Sequence, residues 1–150
     1  MIAISQRPVA RDLGTIRFAS TLYLCPILDL LLAKIPDKWQ AELRLGLQEA
    51  LVNAAKHGNK LDPCKTVVVR FSQVEGHYWW IISDEGEGFC PKRDRNIDPT
   101  EYLPHEEAES GRGMCILHQI FDQVQWNSQG TELRLCKQVG SGKRRHPLLH

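Results

Sequence analysis

Hydrophobic and polar positions alternate first over LGTIRFAS, residues 13–20, where β-branched side chains favour an extended chain and predict the opening strand. The period then lengthens. Thr21 is placed to cap a helix over LYLCPILDLLLAKI, with Pro26 in its first turn or two, where the missing N–H either kinks the helix or delays its start. Beyond Pro36, Asp37 is the candidate cap of a second helix, 38–57, which carries Trp39, Leu43, Leu47, Ala50, Leu51 and Ala54 on one broad face. Gly58 and Asn59 supply a left-handed stop.

Two strand-like runs follow, KTVVVRFSQV (65–74) and HYWWIISDE (77–85), joined by Glu75-Gly76, so a hairpin is their natural pairing. Residues 90–110 hold three prolines and no periodicity, which predicts a long loop of the kind that tends to carry function in compact domains. GMCILHQIF (113–121) predicts a short apolar helix, ahead of two strands, VQWNS and TELRLCK, around a turn at Gln129-Gly130. Residues 140–150 read as a frayed tail beyond a single domain of residues 1–139. With helices early and hairpin-joined strands mostly late, the expected fold class is α+β: a two-layer sandwich, helices packed on one face of a mixed, mostly antiparallel sheet.

Composition narrows the possible partners. A chain of 150 residues, 42% hydrophobic, suits one compact domain with a core of its own. Its formal charge of +1 lacks the basic field of a dedicated nucleic-acid binder, and the one basic cluster, Lys143-Arg144-Arg145, falls in the tail. The five cysteines are odd in number and spread too widely for a disulfide framework or a metal-binding pair. They are expected to be reduced thiols in a cytoplasmic protein, with Cys115 and Cys136 serving as small core residues. MIAISQRPVARDLG has no apolar export segment, and LYLCPILDLLLA is too short, and too broken by Pro26 and Asp29, to span a bilayer. The expectation is a chain neither exported nor membrane-embedded.

Candidate chemistry begins in EALVNAAKHGN, residues 49–59, an otherwise apolar helix interrupted at every fourth place by Glu49, Asn53 and His57. At helical spacing these three fall within an arc of about 80°, with Lys56 beside them. Such a stripe is either the wet face of a surface helix or one wall of a polar site. Downstream, ISDEGEGF (82–89) delivers Asp84 at a strand end, where Gly86 and Gly88 permit either a hairpin turn or close approach to a flat ligand. A carboxylate there can accept a hydrogen bond from an exocyclic amine. In ESGRGMCIL (109–117), two glycines around Arg112 precede the short helix, which makes either a plain loop or a phosphate site built from free N–H groups and the positive end of the helix dipole.

The order of these segments, EALVNAAKHGN, DEGEGF, SGRGM and then Gly130-Thr131 on a strand, resembles the GHKL superfamily of nucleotide-binding domains, and more narrowly its small serine-kinase anti-sigma factors. The resemblance covers roughly residues 13–137. It implies ATP and Mg²⁺ as cofactors. Asn53 would offer its amide oxygen to the metal, Glu49 would act as general base toward an attacking hydroxyl, and Lys56 and His57 would offset phosphate charge. Asp84 would read the adenine amine, with Gly86 and Gly88 passing beneath the base and Thr131 supporting Asp84. Gly111, Arg112 and Gly113 would wrap the phosphates, with 90–110 as a lid; Lys92, Arg93 and Arg95 compete with Arg112 for the γ-phosphate.

The expectation is a chain without the phosphorylated helical hairpin of histidine kinases or the transducer domains of the large ATPases. The resemblance therefore implies an ATP-dependent serine/threonine protein kinase and anti-sigma factor. It would phosphorylate a small antagonist protein and hold a sigma factor in a competing complex, as a homodimer with no nucleic-acid or membrane partner. The alternative is a nucleotide-binding regulatory module that acts by docking, with little or no phosphotransfer.

Overall fold

The computed structural model describes residues 10–88 and 105–139, with side chains described from Arg11 and, in the second segment, from Gly113. Of the lid expected over 90–110, residues 90–104, with Lys92, Arg93 and Arg95, lie outside the described residues, as do the side chain of Arg112 and the tail 140–150, while 105–110 belong to a helix.

Strand β1 (Ala10–Ala19) is followed by helix α1 (Cys25–Leu31), helix α2 (Asp37–Val52) and a π-helical turn (Asn53–Gly58) that continues α2. Strands β2 (Thr66–Val74) and β3 (His77–Ser83), helix α3 (His105–Ile120), and strands β4 (Gln123–Trp126) and β5 (Glu132–Gln138) complete the order. The five strands form one sheet in the order β1-β2-β3-β5-β4, and every pairing is antiparallel. The α+β class stands, with the described sheet wholly antiparallel rather than mixed.

Period-two patterning decides which face of the sheet is covered. Val67 and Val69 on β2, Trp80 and Ile82 on β3, and Leu133 and Leu135 on β5 all point inward and are buried. Against them lie Leu43, Leu47, Ala50 and Leu51 of α2, Leu28 and Leu31 of α1, and Leu117 of α3. Trp80 meets Phe121 edge to face, with ring centroids 5.8 Å apart. The β2–β3 hairpin turns at Glu75 (φ 49°) and Gly76 (φ 81°), two consecutive left-handed residues, as a two-residue turn matched to strand twist requires.

Several boundaries differ from the sequence expectation, each for a local reason. The first helix starts at Cys25 rather than beside Thr21, because Pro26 fits only within a first turn; the Thr21 hydroxyl instead accepts from the Tyr23 N–H. Asp37 is the first residue of α2 rather than its cap, and Pro36 holds the cap position in an extended conformation. The left-handed residues after the π-helical turn are Lys60 and Leu61, both at φ 57°, and not Gly58 or Asn59.

Helix α3 begins at His105, eight positions before the expected start at Gly113. HEEAES is rich in good helix formers, with acidic residues near the positive end of the helix dipole, so the helix extends back through the segment assigned to a loop.

Lys137, 9% exposed on the inner face of β5, ties α3 to the core. Its ammonium donates to the Ile120 carbonyl at 2.8 Å, lies 4.8 Å from the centre of the Trp39 ring and faces Glu42 at 3.9 Å. Among the cysteines, Cys136 is buried, and burial, followed by the charge of Asp122, pushes its thiol up to about 11. Cys115 is exposed rather than part of the core, since it falls on the outward side of α3.

Candidate functional site

Glu49, Asn53, Lys56 and His57 are all half-buried and share a cavity of about 240 Å³ with Val52, Gly113 and Ile116. The stripe is therefore a wall facing α3 and not an open wet face. Asn53, Lys56 and His57 lie in the π-helical turn, whose closing bond runs from the Asn59 N–H to the Ala54 carbonyl at 2.9 Å. Bonding five residues back widens the turn, so residues four apart fall short of a full revolution instead of overshooting it, which keeps His57 on the side of Asn53.

Across the cavity, α3 comes close at Gly113. A Cβ placed there would lie 2.9 Å from Glu49 Oε1 and 3.7 Å from Asn53 Nδ2. A side chain at 113 would thus press on Glu49 and narrow the space beside it. Gly111, Arg112 and Gly113 lie inside α3 and not in a loop ahead of it. This corrects the expected source of free N–H groups: amides this far into a helix are engaged by the preceding turn. What the structure displays at Gly113 is close approach.

The second group of residues assembles where β3 ends. Asp84 donates its N–H to the Thr131 carbonyl at 3.0 Å, and its Oδ1 accepts from the Gly86 N–H at 2.8 Å. Its carboxylate packs over the end of the π-helical turn, so that a Cβ on Gly58 would lie 2.5 Å from Asp84 Cγ. A Cβ on Gly86 would overlap the Gly58 carbonyl, and one on Gly88 (φ 80°) would overlap the Gln129 carbonyl. Burial raises the Asp84 pKa above its ordinary value, against the opposing effects of the Gly86 N–H and the charge of Lys65. Asp84, Gly86, Gly88 and Thr131 do not line the 240 Å³ cavity; Asp84 and Gly86 meet the helix that lines it at Gly58, directly after His57.

Two supporting residues escaped the sequence reading. Asn127 Oδ1 accepts from the N–H groups of Thr131 (2.9 Å) and Glu132 (3.2 Å), while its Nδ2 donates to Thr131 Oγ1 at 3.2 Å. That clamp orients Thr131. Asn59, read from sequence only as a helix stop, is fully buried at the junction of the two groups. Its place directly after His57-Gly58, with a side chain able both to donate and to accept, was the signal available for it.

For a divalent ion, the donor set matters. Among the described residues no three His, Cys, Asp or Glu are grouped to hold a metal by themselves. The hard neutral donor at the cavity is the Asn53 amide oxygen, which fits a Mg²⁺ that takes most of its ligands from phosphate and water.

The histidine kinase-like ATPase domain family matches residues 28–137, and the chain belongs to that family. The chain is similar to the serine-protein kinase RsbW of Bacillus subtilis (strain 168), 26% identical over 111 residues that cover 70% of this chain and 68% of that protein. It is also similar to RsbW of Bacillus licheniformis, 28% identical over 86 residues, or 55% of this chain and 54% of that protein. The chain thus spans from about half to two thirds of these relatives. No helix among the described residues is long and apolar enough to cross a membrane.

Proposed function

We propose that the chain is an ATP-dependent serine/threonine protein kinase that phosphorylates a small antagonist protein and, in a competing complex, binds a sigma factor. The observation that carries this reading is the position of Glu49. Its carboxylate shares the cavity with Asn53, Lys56 and His57, where a base would serve phosphotransfer and would have no use in a module that only docks. Similarity to proteins named serine-protein kinases points the same way.

On this reading Glu49 accepts the proton of the attacking serine or threonine hydroxyl as its oxygen bonds to the γ-phosphorus of ATP and ADP departs. Asn53 would hold Mg²⁺, which supplies charge neutralisation at the phosphates, and Lys56 and His57 add positive charge on the same wall. Asp84 accepts from the adenine amine, with Gly86 and Gly88 letting the main chain beneath the base pack against Gly58 and Gln129, and Thr131 held beside it. Gly113 of α3, close to Glu49, leaves space for the phosphates beside that base. A homodimer in the cytoplasm, with the unphosphorylated antagonist drawing the kinase away from sigma, completes the proposal.

Single-turnover transfer from labelled ATP to a cognate antagonist protein tests it. Glu49→Gln is expected to abolish transfer while nucleotide affinity stays within a few fold. Unchanged phosphorylation in that variant refutes the role given to Glu49, and nucleotide binding with no transfer in the wild-type protein would instead favour a docking module.

A further inference from the structure

Asn59 is fully buried, and each polar atom of its side chain is engaged. Nδ2 donates to Ser20 Oγ and to the Thr66 carbonyl, both at 2.9 Å, and Oδ1 accepts from the Glu85 N–H at 2.7 Å. Its own N–H closes the π-helical turn on Ala54. One side chain therefore joins the end of β1, the start of β2, the end of the nucleotide-wall helix and the turn that carries Asp84. The Glu85 carboxylate adds a return contact, with Oε1 accepting from the Thr66 N–H at 3.1 Å.

The acceptor arm differs from the donor arms. Ser20 and Thr66 belong to strand ends that the sheet holds already, since the Ser20 N–H and hydroxyl both donate to the Lys65 carbonyl, at 3.1 and 3.0 Å. The Asp84–Gly86 turn lies beyond the end of β3, and its main chain crosses that of Gly58 with no side chain between them. The Asp84 N–H ties the turn to the Thr131 carbonyl and the Glu85 carboxylate ties it to Thr66, but toward the helix end the main-chain contact with Gly58 has no direction of its own. The short bond from the Glu85 N–H to Asn59 Oδ1 supplies that direction, one residue from the Asp84 carboxylate.

We propose that Asn59 is a positioning residue for base recognition: its amide oxygen sets where the Asp84 carboxylate stands, and so sets the preference for a purine bearing an exocyclic amine. This rests on the reading that Asp84 accepts from the adenine amine. Hypoxanthine, which carries a carbonyl in that position, is the natural comparison.

The test is the ratio of ADP to IDP affinity by calorimetry, alongside thermal melting of each variant. Asn59→Ala is expected to lower the ratio about five- to tenfold, on the scale of one displaced hydrogen bond, while IDP affinity changes little. Asn59→Asp keeps an acceptor for the Glu85 N–H but loses the donor arms, so it is expected to melt lower and keep the wild-type ratio. Should Asn59→Ala not fold, Gly86→Ala displaces the same turn through the Gly58 carbonyl and is expected to lower the ratio equally. A wild-type ratio in the folded Asn59→Ala protein, or in Gly86→Ala where that variant stands in, overturns the proposal, as does a ratio lost equally in Asn59→Asp. Asp84→Asn separates the two layers. If it leaves the ratio unchanged, the adenine reading falls and the proposal with it; if it abolishes the ratio while Asn59→Ala does not, only the role of Asn59 falls.

Discussion

Replacement of Gly58 by alanine sets two effects of opposite sign against each other. The backbone at 58 is helical, so on propensity alone alanine should stabilise the turn by up to about 1 kcal/mol. The new Cβ, however, would stand 2.5 Å from Asp84 Cγ and Oδ2 and 2.8 Å from Oδ1, well inside ordinary contact. The carboxylate has to swing away, losing its bond from the Gly86 N–H, a net loss of about 1 kcal/mol. Strain from the extra methyl adds about 1–3 kcal/mol. Clash outweighs propensity, for a net destabilisation of about 1–3 kcal/mol, each kcal/mol shifting the melting point by about 2–4 °C in a chain of this length. Affinity for ADP, titrated calorimetrically, is expected to fall about ten- to a hundredfold as the charge-assisted bond to the base is lost. A variant that melts higher than wild type and binds ADP unchanged would refute the packing of Asp84 on Gly58 and its place in base recognition together.

Other expectations can be checked with the same protein. Because burial raises the folded-state pKa of Asp84, its contribution to stability is present below the unfolded carboxylate pKa and is lost as pH rises through the folded value. Asp84→Asn should therefore gain stability relative to wild type at pH 7 but not at pH 3.5, as read from urea denaturation at each pH. Asn53→Ala should weaken ATP binding mainly when Mg²⁺ is present; an equal loss in EDTA would indicate a packing role. Lys137→Met removes the bond to the Ile120 carbonyl and the cation over Trp39, and should cost about 1–3 kcal/mol in denaturant while nucleotide affinity holds.

Side-chain periodicity made most of the architecture legible. The strand-like runs at β2, β3 and β5 and the apolar face of α2 are found where they were expected, because burial on one side of an element leaves a period in the sequence, unbroken in β3 and interrupted past Val69 in β2 and at Cys136 in β5. Capping residues were poorer guides. Thr21 and Asp37 are good cap types, but the prolines at 26 and 36 decide where helices can start. The extension of α3 back to His105 was hidden because its first turns carry no apolar period, so only propensity marked them.

At the site, the helical stripe of Glu49, Asn53 and His57 could be read because the spacing itself places them together. The roles of Gly58, Asn59 and Asn127 could not. Each depends on a contact between segments far apart in the chain, which one-dimensional patterning does not encode.

The bare crossing of Gly58 and Gly86 also bears on how such a domain can diverge. Neither position owns atoms that could be trimmed to make space for growth at the other, so no compensating exchange exists within the pair. Change can enter only through displaced main chain, which moves the Asp84 carboxylate with it. Lys56 and His57 of the same π-helical turn, with long and adjustable side chains, are where change can be absorbed without moving the Asp84 carboxylate.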